Sequence, residues 1–471
     1  MKLTNFQKIL LLGLHVALGV AASYSFVVSS LWGILFFFYS IDRIIRYRNS
    51  DNWAFYACMY IMGLDIVFRI SNAFIFSEFS KYSIVFFAIF GMIAERRYHK
   101  IWWMPLTYFI LLLPSIIMMT GSIDKIRECL SFNLSGPIAM AMGTIYTYNR
   151  KMTKSQLMNA FFLVLMASVS AVIIIILRLP DFSKIGFNLS SNKDTSGGFG
   201  PDQVSTALGF GFMLVAFAWL IKEKITSNPL IDRAIGFVLI SYAVLTFARG
   251  GVVTPILVMF MTIYIYTTTS GNIRQFFRVI QLLVLSIFIG SILWVYLDAL
   301  TNNALGDRYQ KSLKKRSAQN FAQEGVDNSV INTDLSGREF IATADLKIFA
   351  SYPILGVGPG MAKDFREKYI GFKIAAHTEF TRLIAEHGLY GIAALLLTIF
   401  MPVVFYRTCR TPEQKALLFC FTVFSLATSV HSATRLSITV FSYAIGFLNL
   451  VDDNPLARNT EEKAIEEAEE V

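Results

Sequence analysis

Charge is scarce in this chain. Of its 471 residues only 16% are Asp, Glu, Lys or Arg, where a soluble domain carries about a quarter, so an ordinary soluble globular fold is excluded. Cysteine is scarce too. Cys58, Cys129, Cys409 and Cys420 have neither the density of a disulfide framework nor the spacing of a thiolate metal site. There is no Asp-x-Asp pair, no His-Glu-x-x-His, no Cys/His cluster of ligand spacing and no Walker-type phosphate loop. These absences give no support to a nucleotide-sugar or ATP-driven reaction, and no cofactor or metal is expected. No internal repeat is visible, which leaves an inverted-repeat transporter without sequence support.

What is present is apolar. Hydrophobic residues make up 55% of the chain, 42 of them Phe, and the mean hydropathy is +0.54. Stretches of roughly 20 residues, apolar all round, recur along it, the length that crosses a hydrocarbon core about 30 Å thick. The sequence predicts an all-α polytopic membrane helical bundle of about 12–14 transmembrane helices. They are expected near 8–26, 27–42, 53–75, 82–94, 101–120, 129–148, 156–178, 203–221, 231–248, 251–269, 279–297, 386–406, 414–431 and 435–450. The first apolar segment runs on as a full span, with no cleavage site of the signal-peptide kind.

The formal charge of +10 is distributed unevenly. Alternate loops hold the cations: Lys2 and Lys8; Arg43, Arg46 and Arg48; Arg96, Arg97 and Lys100; Arg150, Lys151 and Lys154; Lys222 and Lys224; Arg274 and Arg278; Arg407, Arg410 and Lys415. The positive-inside rule places these in the cytoplasm, and explains the basic balance through membrane lipids with no nucleic-acid partner. Both termini then face the cytoplasm. The chain divides into transmembrane helices over 1–298, a large periplasmic loop with short helices over 299–385, C-terminal transmembrane helices over 386–450, and an acidic cytoplasmic tail over 451–471.

Four polar motifs fall on the outer side of that topology. Thr246–Gly251 sets Arg249 between two apolar runs at the end of a span. A guanidinium there is costly and has a use, either clamping a phosphate with its planar fork or, more plainly, snorkelling at a helical hairpin. Asp334–Glu339 opens a helix near Gly337 that Ser336 can cap and Pro353 ends. Ile341, Leu346 and Phe349 are expected on one side of it, a face that could lie on the membrane surface, with Arg338 near its start. The glycine run Pro353–Gly360 follows; it lacks the strand–turn–helix setting of a dinucleotide fingerprint, and taken alone reads as an outer loop.

The third motif, Ala376–Gly391, leads into a span. His377 falls in or just before the first turn, where the helix dipole disfavours imidazolium, and a neutral imidazole can take a proton from a hydroxyl. A capping or loop histidine is the competing reading. Arg382 stands at helix-neighbour spacing from Glu379 and Glu386, a positioning pattern, and His387 reads as structural. In the fourth, Gly197–Ser205, Asp202 or Gln203 is expected to cap the following helix or to touch a sugar.

In their order and topology these motifs resemble the O-antigen ligase/polymerase superfamily of bacterial inner-membrane proteins. The likeness rests on Thr246–Gly251, Ser336–Arg338, Pro353–Gly360 and His377–Gly391, in the second half of the chain. It implies a metal-independent, inverting glycosyltransferase of GT-C type. The donor would be a glycan on undecaprenyl diphosphate. The acceptor would be a sugar hydroxyl of a lipid A-core in a ligase, or of another carrier-linked repeat in a polymerase. By match to the family's arginines and histidine, Arg249 and Arg338 would hold the diphosphate and His377 would activate the acceptor. Many relatives have Asn after the histidine, whereas here Thr378 and Glu379 follow, which leaves the acceptor side open. A lipid-linked glycan flippase, or a scaffold without chemistry, is the alternative from another class.

Overall fold

The computed structural model describes residues 3–95, 102–180, 193–271, 295–296, 298–299, 335–371, 373–376, 378–431 and 433–451, without the side chains of 335–339 and 433. Among them the chain is helical almost throughout. Fifteen α-helices are found: α1 Asn5–Tyr24, α2 Phe26–Arg46, α3 Trp53–Ile70, α4 Phe79–Ala94, α5 Trp103–Leu111, α6 Ile123–Thr147, α7 Lys154–Arg178, α8 Pro201–Leu220, α9 Pro229–Leu245, α10 Arg249–Ser270, α11 Leu335–Ser351, α12 Ala362–Ile370, α13 Glu379–Tyr406, α14 Pro412–Ser429 and α15 Ser437–Ile445. Seven of them, α1, α2, α3, α7, α8, α10 and α13, are long and apolar enough to cross a membrane. The protein is an all-α polytopic membrane protein.

The packing is centred on α3, in which every residue except Arg69 is buried. It lies against α2, α4, α7 and α15. On the periphery, α1 and α2 turn Phe6, Ile9, Leu10, Leu35 and Phe38 outward, side chains that a bilayer would cover.

Polar contacts sort the helix ends into two faces. On one, Lys8 Nζ donates to the Ile225 carbonyl at 2.7 Å, Arg150 pairs with Glu95 at 2.5 Å, and Lys154 meets Glu413 at 3.7 Å. A short parallel pair, β1 Lys151–Thr153 with β2 Asn449–Val451, also lies there. On the other, Arg178 donates to the carbonyls of Ile70 and Ser23, and the ends of α3 and α14 meet the starts of α4, α8, α10, α13 and α15. The basic loops that the sequence assigns to one side all belong to the first face where they are described.

Some expected elements differ. The span near 101–120 is a nine-residue helix ending at Leu111, followed by a 3-10 turn over Pro114–Met118; Pro114 lacks the N–H that would continue α5. The span near 435–450 becomes a 3-10 turn, the nine-residue α15 and β2. At 1.5 Å per residue α15 is about 14 Å long, too short to cross alone. Most of the expected span near 279–297, residues 300–334 of the 299–385 loop and the tail beyond Val451 lie outside the described residues.

Candidate active site

The site is built where the second face gathers polar groups. α13 begins at Glu379, and one turn of helix lets Arg382 reach carboxylates on both sides. Its Nε and Nη2 donate to Glu379 at 3.0 and 2.5 Å, its Nη1 to Glu386 at 2.5 Å and to Asn133 Oδ1 of α6 at 3.2 Å. All three charged groups of α13 are buried. Glu379 also accepts from Thr434 Oγ1 at 3.1 Å, which ties α13 to the turn before α15.

Glycine makes the next part possible. Gly388 sits at φ 59°, ψ −137° and breaks α13. A Cβ there would press on the carbonyl oxygens of Pro353 and Ile354 at 2.5 Å, and one on Gly356 would strike the backbone of Glu386 and His387. The run Pro353–Gly360 therefore packs directly on the break. Val357 and Gly358 donate to the carbonyls of Ala385 and Glu386, and Leu389 donates to Pro353. Read from sequence alone this run is an outer loop; it is a docked turn. His387 is buried with Nδ1 2.7 Å from Ser115 Oγ and 3.0 Å from the Leu112 carbonyl.

α11 starts at Leu335, so Ser336 lies in its first turn and does not precede the helix. The buried face carries Ile341, Ala344, Asp345 and Ile348, whereas Leu346 is exposed, which corrects the expected side of Ile341, Leu346 and Phe349. Asp345 decides the rotation, since Arg366 of α12 donates to it at 2.7 Å. Burial pushes the Asp345 carboxyl up and Arg366 acts against that.

These pieces enclose a cavity of about 260 Å³. Its walls are Lys81 of α4, Glu128, Cys129, Phe132 and Asn133 of α6, Gly360, Lys363 and Arg366, Ala375 and Ala376, Glu379, Arg382 and Glu386, and Thr434 and Arg435. Lys81 forms an ion pair with Glu78. Beneath the cavity Asp65 binds Arg69 at 3.1 Å and accepts from the backbone N and Oγ of Ser437, both at 2.9 Å. Arg69 in turn donates to the carbonyl of Arg435 at 3.1 Å.

The expected site residues are placed unequally. Glu379 and Arg382 line the cavity. Asp202 is in the first turn of α8 and interacts electrostatically with Arg435. Neither it nor Gln203 caps the helix: Gly200 occupies the N-cap with Pro201 at N1, and no side chain bonds there. Gln203 Oε1 is buried without a hydrogen bond among the described residues. Arg249 is the first residue of α10. Gly250 and Gly251 bring that end against neighbours, since a Cβ would strike the His431 ring on the former and the backbone of Ser205 and Thr206 on the latter. His431 Nε2 is 3.3 Å from Thr206 Oγ1. Arg338 lies in α11 with its side chain outside the described residues, as is His377 altogether; its neighbour Ala376 lines the cavity.

Residues 234–396 match the family model for O-antigen ligase. The match supports the O-antigen ligase superfamily, and the matched segment contains all four ordered motifs, Thr246–Gly251 through His377–Gly391. No curated protein matches the chain. The cavity extends beyond the segment that matches O-antigen ligase. Lys81, Asn133 and Arg435 reach it from α4, α6 and the turn before α15, and sequence reasoning missed Lys81, Arg366, Arg435, Asp65 and Arg69 as site residues. The signal for Asp65 and Arg69 was present: two ionisable residues one turn apart inside an apolar stretch mark a functional or paired position.

Proposed function

We propose that this chain is an O-antigen ligase-type glycosyltransferase. It moves a glycan from undecaprenyl diphosphate to a sugar hydroxyl of a lipid A-core or similar acceptor, on the periplasmic face of the bacterial inner membrane. The reading is carried by one observation: the segment matching O-antigen ligase supplies Gly360, then Lys363 and Arg366 of α12, Ala375 and Ala376, and Glu379, Arg382 and Glu386 of α13, which wall a cavity rich in charged side chains at one end of an apolar bundle.

The chemistry suits such a place. Diphosphate is already a good leaving group, so no nucleotide is needed. Negative charge grows on it as the anomeric bond breaks, and fixed guanidiniums in a low-dielectric site stabilise that charge more than water does. Arg249 and Arg338 are the proposed holders of the diphosphate. His377 takes the proton of the attacking hydroxyl, the hydroxyl oxygen bonds to the anomeric carbon from the face opposite the leaving diphosphate, and configuration inverts. The network of Glu379, Arg382 and Glu386 holds the start of α13 against α6 and the turn before α15.

Purified protein in detergent, given carrier-linked glycan and acceptor with chelator and without nucleotide, is expected to join them with inverted configuration. Glycan crossing a liposome membrane with no new bond would instead mean transport. In a deletion strain, loss of all surface polymer attachment identifies a ligase, and single-repeat surface glycan a polymerase.

A further inference from the structure

The cavity has an uneven charge balance. Lys81 faces Glu78, Arg366 faces Asp345, Arg382 faces Glu379 and Glu386, and Arg69 beneath faces Asp65. Each half-buried or buried cation thus has a carboxylate within ion-pair distance. Arg435 does not. Among the described residues no carboxylate lies within 4.0 Å of its guanidinium, although it is largely shielded and lines the cavity. Its Nη2 donates to the carbonyl of Ala376 at 2.9 Å. Its backbone is fixed from behind by Arg69 and from the side through Thr434 and Glu379. Burial pulls its pKa down, with Asp202 and Glu379 acting against that from a distance.

A desolvated guanidinium with no carboxylate at ion-pair distance is unfavourable unless an anion completes it. Its fork has more donors than one carbonyl uses. We infer that Arg435 is an anion-holding and positioning residue of the transfer site: its free edge takes a phosphate oxygen of the carrier diphosphate while Nη2 holds the Ala376 carbonyl, so that occupancy of the phosphate site orders the peptide leading into residue 377. This rests on the proposed glycosyl-transfer reading and adds a group outside the segment that matches O-antigen ligase.

The test uses the full chain in nanodiscs, with undecaprenyl diphosphate and undecaprenol as probes. The wild type is expected to bind the diphosphate lipid far more tightly than the alcohol. Arg435→Ala should lose about 10- to 100-fold of the diphosphate affinity, the range for one charged hydrogen-bonding group, and none of the affinity for undecaprenol. Arg435→Lys, which keeps the charge and loses the fork, should fall between and serves if the alanine variant does not fold. Hydrogen exchange over 373–378 should slow in the wild type on adding the diphosphate lipid and stay unchanged in Arg435→Ala. Equal diphosphate affinity in wild type and both variants overturns the role of Arg435 alone. A wild type that does not distinguish diphosphate from alcohol overturns the transfer reading with it.

Discussion

At the residue scale, two kinds of arginine have to be separated. Arg249 and Arg338 are proposed to act on charge that develops during reaction, so their loss should spare folding. Arg249→Ala, Arg338→Ala and His377→Ala should each lower transfer by at least about 100-fold, the usual effect of removing one group that stabilises developing charge, while membrane insertion is unchanged. Arg-to-Lys changes at 249 and 338 should be impaired as well, since the ammonium lacks the bidentate fork. Wild-type turnover in all three alanine variants removes the assignment. Arg382 is of the other kind. Truncating it leaves Glu379 and Glu386 facing each other in a buried place, and uncovering a buried ion-pair partner costs about 3–5 kcal/mol. Arg382→Ala should lower the thermal midpoint in detergent sharply, and Arg382→Leu combined with Glu379→Gln and Glu386→Gln should recover much of it. The Arg382 pattern was legible because Glu379 and Glu386 stand at helix spacing. The roles of Arg366 and Arg435 were not, since Asp345 and Ala376 are far away in sequence.

At the scale of elements, glycine and proline set the geometry more than hydropathy does. A hydropathy pattern finds α3, α7 and α8 because length and apolarity suffice to define them. It cannot find the break in α13, because Gly388 looks like any glycine in an apolar helix. The break exists since the Pro353–Gly360 turn docks on it, a contact between segments about thirty residues apart. Likewise α15 reads as a span until Asp65 caps its start and β2 ends it. Gly388→Ala puts a side chain at φ 59° against two carbonyl oxygens. The expected loss is about 1–3 kcal/mol from the backbone alone, seen as a lower thermal midpoint and as faster proteolysis within 353–388. Gly13→Ala, where a Cβ meets nothing within 4 Å, is the control and should be neutral. If both variants melt with the wild type, the turn is not docked on the break in solution.

At the scale of the whole molecule, the two faces carry the functional claim, because the proposed transfer is assigned to the periplasmic face. The positive-inside pattern puts Arg410 in the cytoplasm and Lys373 in the periplasm, and both side chains are exposed. All four native cysteines are buried, so single cysteines introduced there report without much background. Lys373→Cys should react in intact cells with a thiol reagent that passes the outer membrane but not the inner one. Arg410→Cys should react only after the inner membrane is opened. The arrangement of helix ends makes this a test of the entire bundle: Glu379, Arg435 and Asp65 share their face with Lys373, while Arg150, Lys154 and Glu413 share theirs with Arg410. One inverted result for the pair would move the cavity to the cytoplasmic side and overturn the proposed periplasmic transfer.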